Sequence, residues 1–122
     1  MTFQRSLSIS AELSKDVGDE TRAFALRAFR NIVLSTPVDE GRARGNWQLS
    51  IASPINSQTE DIDRSGGATI NKGVSVVRAA VRVKYPVLWI TNNLPYIQRL
   101  NEGHSQQAPV KFVETAIRRA MK

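Results

Sequence analysis

One stretch restricts this chain more than any other: Ile90 to Pro109, reading ITNNLPYIQRLNEGHSQQAP. Its residues set backbone directions in quick succession. Asn92 and Asn93 are turn formers whose side chains hydrogen-bond nearby backbone. Pro95 locks its own φ and turns Leu94 away from the helical region. Tyr96, Ile97 and Leu100 fit one face of a short helix, and Gly103 is its natural stop, because glycine takes the left-handed conformation without strain. Pro109 suits the first position of the next helix, where its missing N–H costs nothing. The stretch predicts strand, tight turn, short helix, ordered loop, helix.

The flanks supply the partners. Val87 to Thr91 is a continuous apolar run, the pattern of a central strand covered on both faces. Val110 to Met121 is amphipathic: Phe112, Val113, Ala116, Ile117 and Ala120 face inward. Glu114 and Arg118 make an i,i+4 pair, and Arg118, Arg119 and Lys122 complement the negative helix end. Trp47, Leu49 and Ile51 alternate with Gln48 and Ser50, a half-buried strand with Trp47 in the core. From Ala11 to about Leu34 the spacing of Leu13, Val17, Phe24, Ala28 and Ile32 is helical, with Leu26, Phe29 and Val33 widening the face. Ser10 is the expected N-cap, Gly18 a point where the helix bends or begins, and Thr36 before Pro37 its end.

Other segments read less regularly. Residues 1–10 alternate weakly, with Phe3, Leu7 and Ile9 apolar; they fit a short strand or an arm that packs on a neighbouring subunit, and an N-terminal arm is the expectation. Asp39 is placed to cap a helical turn from Glu40 to Arg44, with Arg42 and Arg44 pointing outward, because two arginines in a tight turn are not buried without partners. Residues 53–73 lose all periodicity and are expected as a long loop. Its Glu60, Asp61 and Asp63 lack the spacing and glycine of an EF-hand loop, so no metal site is expected. Val74 to Lys84 fits a strand by alternation and β-branching, and a helix by the face Val74, Val77, Ala80 and Val81.

Size and charge bound the class. The 122 residues suffice for a single domain, and 41% hydrophobic content fits a folded one. There is no apolar run long enough to span a membrane, no secretory core near the start, and no cysteine, so disulfides and thiolate metal sites are excluded and a cytosolic origin fits. A net charge of +6 favours polyanions or acidic protein surfaces. No P-loop, G-x-G-x-x-G, G-x-S-x-G or paired histidine motif occurs, and His104 stands alone, so an enzyme is not expected and no cofactor is implied. His104 reads instead as a residue that locks its loop by hydrogen bonding. No helix-turn-helix, RNP or zinc-finger pattern supports specific nucleic-acid reading, although a small basic nucleic-acid-binding module remains the rival from another class.

Two blocks carry a family resemblance. Thr91-Asn92-Asn93-Leu94-Pro95-Tyr96, then Arg99-Leu100, Gly103-His104-Ser105 and Gln107-Ala108-Pro109, follow Thr36-Pro37-Val38-Asp39 and Gly41-Arg42-Ala43-Arg44-Gly45-Asn46-Trp47 in order. Together they cover about a quarter of the chain and resemble the tail-completion, or neck, proteins of long-tailed bacteriophages. The chain departs from that pattern at Glu40, Asn101 and Gln106, where a threonine, a glutamate and a lysine are expected. The resemblance implies an α+β fold, a small mixed sheet from Trp47–Ala52 and Val87–Thr91 packed by a long N-terminal helix and a C-terminal helix, and a helix at Val74–Lys84. It further implies a structural virion protein without catalysis, made in the host bacterial cytoplasm. Such a protein forms a ring, six-fold in expectation, at the head–tail junction and meets other neck and tail proteins there. A tail terminator or head-side stopper is the nearest alternative. Subunit or partner contacts are expected from Asp39, Arg42, Arg44, Asn92, Asn93, Tyr96, Arg99, Glu102, His104 and Gln107. Arg78, Arg82, Arg118 and Arg119 are the basic residues expected to face packaged DNA or a partner.

Overall fold

Three strands and five helices are found among the described residues of the computed structural model, which are 5–10, 15–38, 40–83, 86–103 and 110–121. In chain order they are β1 (Arg5–Ser10), α1 (Lys15–Ser35), α2 (Arg42–Gly45), β2 (Trp47–Ile51), α3 (Gly67–Ala80), β3 (Val87–Asn92), α4 (Ile97–Asn101) and α5 (Phe112–Ala120). The class is α+β, with the helices packed on the sheet.

β3 is the central strand, in the order β1-β3-β2. Trp47 stands opposite Asn92 and Leu49 opposite Ile90, while Leu7 stands opposite Ile90 on the other side. Both pairings are antiparallel, so the sheet is not the mixed one expected. Of the two readings of residues 1–10 the strand, not the expected arm, holds for Arg5–Ser10, an edge strand held by β3; residues 11–14, which Ser10 is expected to cap, lie outside the described residues. Backbone pairing docks the chain end, which a weak local alternation does not announce.

The core lies between one face of the sheet and the helices. Leu49, Leu88 and Ile90 meet Ala28, Phe29, Ile32 and Val33 of α1 and Phe112, Val113 and Ala116 of α5, all buried. Full burial of an aliphatic or aromatic side chain contributes about 1.5–3 kcal/mol, so this set supplies the main driving force. The inward face expected for α5 is the one observed. The helix starts at Phe112, with Lys111 in a left-handed cap at φ 61°; Pro109 lies outside the described residues. Glu114 takes a different partner from Arg118: Asn101 Nδ2 donates to its Oε1 at 2.7 Å. The opposite face of β3 is only partly covered, with Val87 and Trp89 half-buried, so the full cover on both faces expected of this strand is not found. Trp89 Nε1 donates to Ala52 O at 3.1 Å, and Thr91 is fully buried.

Val74–Ala80 of the Val74–Lys84 window belongs to helix α3, which begins seven residues before the window at Gly67; Val81–Val83 lie beyond the helix and Lys84 lies outside the described residues. The long loop accordingly stops at Gly66. Gly66 adopts φ 84°, and Asp63 closes the helix start by accepting from Gly66 N at 3.0 Å and Thr69 N at 2.8 Å. α1 runs through Gly18 without a break and ends at Ser35 as Thr36-Pro37 predicts. Gly73 lies so close to the core that a Cβ there would sit 2.7 Å from the Phe29 ring.

Candidate functional site

The two blocks of the resemblance meet in space. Fully buried Asn92 closes β3, and its Nδ2 donates to Ala43 O in α2 at 3.0 Å. Its Oδ1 accepts from Leu94 N at 3.1 Å, which bends the chain out of the strand. One side chain therefore makes the turn and ties it to the other block. Asn93 does the same toward the long loop, donating to Ile55 O at 2.7 Å and Ser57 O at 3.2 Å. Its Oδ1 is buried without a hydrogen-bond partner. The opposite amide orientation would set that oxygen against two carbonyls, so the donating arrangement is the better one.

The α2 turn is wired with equal density. Gly41, at φ 94°, takes the cap position expected of Asp39, and Asp39 itself lies outside the described residues. The Gly41 carbonyl accepts from Gly45 N at 3.0 Å and Asp63 N at 2.9 Å. A Cβ on Gly41 would approach the backbone of Asp63 and Arg64 to between 2.7 and 2.9 Å, so only glycine fits. Asn46 donates to Arg42 O at 2.9 Å and accepts from Thr59 N at 2.9 Å. Trp47 Nε1 donates to Thr36 Oγ1 at 2.8 Å, and that hydroxyl donates to Ile32 O at 2.7 Å.

Arg44 is not the outward-pointing residue expected. Its guanidinium donates to Thr36 O at 3.0 Å, Arg64 O at 2.8 Å and Leu34 O at 2.9 Å. It staples the end of α1 to the loop before α3. The planar fork of arginine suits three carbonyls arranged this way; a lysine ammonium does not reproduce it. Arg42, by contrast, keeps 42% of its side chain exposed and faces Glu60 at 3.8 Å. At that exposure the pair contributes little.

The expected contact residues thus divide. Asn92, Asn93 and Arg44 are internal wiring. Arg42, Tyr96, Arg99 and Glu102 lie at the surface, Tyr96 with 39% exposure. Asp39, His104 and Gln107 lie outside the described residues. Arg78, Arg82, Arg118 and Arg119 are all exposed and stand apart from this module, on α3 and α5 and the turn after α3. Asn46 and Asn101 were not among the expected residues, yet both are buried connectors. Asn101 Oδ1 accepts from Val113 N at 2.9 Å, holding α4 to α5. The signal for both is a lone asparagine at the end of a short helix, where its side chain serves orphaned backbone groups.

Electrostatics follow the wiring. Asp63 is pushed up by desolvation, but the Thr69 amide and hydroxyl, the Gly66 amide and the Ser65 hydroxyl outweigh that and hold its carboxyl below the ordinary value. Asp61 is also lowered, chiefly by its hydrogen bond with Lys72 and then by that with Thr59. The acidic run is engaged in these contacts, and no cluster of metal-ligating residues occurs among the described residues. Between the loop, β2 and α3 lies a cleft of about 270 Å³, floored by Phe29, Leu49 and Val76 and edged by the Asp61–Lys72 pair. Amides, carbonyls and ion pairs of this kind can bind and position; none is a nucleophile set beside a base. Comparison with known protein families, curated proteins and solved structures finds no match to this chain.

Proposed function

We propose that the chain is a neck component of a long-tailed bacteriophage, a tail-completion protein that assembles as a ring and joins tail to capsid. The observation that carries this reading is the bond from Asn92 to Ala43, which makes one rigid module of the two resembling blocks. Around that module Arg42, Tyr96, Arg99 and Glu102 reach the surface. A closed ring is a heterologous contact and needs two different patches on each subunit. A wired turn with a few exposed, chemically distinct side chains suits one of them, because its backbone does not rearrange on contact. The terminator and stopper roles share these requirements.

The test is tail joining in vitro. Purified protein is added to tails lacking their neck, followed by filled heads, and joined particles are counted. The native chain should restore joining. Arg42→Ala and Tyr96→Ala should lower it strongly while melting at the native temperature. A native chain that adds nothing to the tails ends the neck reading, and two variants that join normally end the patch assignment.

A further inference from the structure

The charge of this chain is not evenly placed. Gly66 lies against Val33, and Gly73 against Phe29, so α3 runs antiparallel to α1. Asn31 donates to Ala116 O at 3.2 Å, and Arg27 donates to Ala120 O through Nε at 3.2 Å and Nη2 at 3.1 Å, so α5 also runs antiparallel to α1. Both helices therefore run back toward the start of α1, and α5 ends beside Arg27 at its middle. Arg78 and Arg82 arrive there from α3 and its following turn, and Arg118 and Arg119 from α5. Between them the exposed stripe of α1 presents Arg27 and Arg30. All six are exposed. Among the described side chains the carboxylates nearby are Asp19, paired with Arg22, and Glu20. At the other end of the molecule charges cancel: Arg42 faces Glu60, Lys72 holds Asp61, and Asp63 caps α3.

We infer that this arginine-rich end of the helical layer docks on the sugar–phosphate backbone of double-stranded DNA. It rests on the neck reading and deepens it, giving the protein a DNA-facing side. The negative ends of the helix dipoles account for Arg78, Arg118 and Arg119 in the last turns. They do not account for Arg82, which lies beyond α3, or for Arg30, which lies mid-helix in α1. Packed helices lie about 8–10 Å apart, so the three sources span roughly 16–20 Å. A duplex presents on the order of ten phosphates over that length. Guanidinium groups match phosphate in a planar, two-pronged geometry. Phe24, the aromatic on this part of α1, packs against the core, so the face offers backbone contact and not base stacking. Val81 and Met121 are also exposed at this end, apolar surface that an acidic protein partner would use and a duplex would not.

The experiment measures binding of the full chain to a labelled duplex of arbitrary sequence, between roughly 50 and 200 mM salt. Affinity should fall linearly in a double-logarithmic plot, and R78S/R82S/R118S/R119S should flatten that slope by roughly 3–4 and weaken binding at least about tenfold at the lowest salt. Arg64→Ser, at the opposite end, should change neither. R30S/R82S leaves the last turns of α3 and α5 intact and should flatten the slope by roughly 2, which covers the case in which the fourfold variant misfolds. No binding by the native chain at low salt, or an unchanged slope in R30S/R82S, overturns the inference. Binding to polyglutamate as tight as to DNA overturns it in favour of an acidic protein partner. Lost tail joining with DNA binding intact would instead count against the neck reading alone.

Discussion

Arginine appears at both ends of this molecule and does opposite work there. At the α2 turn, Arg44 gives its donors to three backbone carbonyls and becomes part of the fold. At the ends of α3 and α5, Arg78, Arg82, Arg118 and Arg119 are exposed, and none of their side chains makes an ion pair or hydrogen bond among the described residues. In a polar, glycine-rich segment only the side chains left at the surface, here Arg42, Tyr96, Arg99 and Glu102, can meet others. The turn is polar because its backbone turns sharply and needs internal donors. The helix ends are polar although no side chain among the described residues answers them. The first kind of residue should answer to stability measurements, the second to binding measurements.

The largest effect should come from Gly41→Ala. It forces a side chain into a left-handed φ of 94° and into the backbone of Asp63 and Arg64. A loss of about 3 kcal/mol or more in urea unfolding is expected. Asn92→Ala should follow, at about 2–4 kcal/mol, because it strands the Ala43 carbonyl and the Leu94 amide in a buried place. Arg44→Lys keeps the charge and loses the fork, and should lower stability by about 1–3 kcal/mol. If it melts like the native chain, the contrast between the two ends collapses.

Acid should act on the same wired end. The Asp63 carboxyl is held below its unfolded value, so its contribution is complete above about pH 4 and fades as pH falls through the lower, folded value. Thermal melts at descending pH should fall more steeply for the native chain than for Asp63→Asn. Parallel curves would remove Asp63 from the wiring. The smallest effect belongs to the other end: Arg82→Ser should change stability by no more than about 0.5 kcal/mol. A larger loss would mean that Arg82 is structural.

Much of the fold was legible because period and burial coincide. The inward stripe of α5 and the alternation of β2 each say which side is covered, and the apolar run of β3 marks the central strand. The start of α3 was hidden, since Gly66-Gly67 and the polar residues after them carry no helical period, and the cap that starts the helix comes from Asp63. The pairing of β1 was hidden for a different reason. The partner strand lies some eighty residues away, and pairing is not a local property. At the site, sequence identified the donors but not their recipients. That Asn92 and Asn93 act locally was readable; that they reach Ala43, Ile55 and Ser57 was not. The gathering of arginines was unreadable without the antiparallel course of two helices against a third.

The order β1-β3-β2 also sets a timetable. The middle strand is the last of the three to leave the ribosome. β1 and β2 do not pair with each other, so both wait until residues 87–92 arrive. At roughly 5–20 residues per second, the interval after β2 is about 2–8 s. Through it α1 and α3 can coil locally, but the sheet has no nucleus and two unpaired strands stand open. A nascent chain halted before Val87 should therefore be helical, sheetless and prone to association.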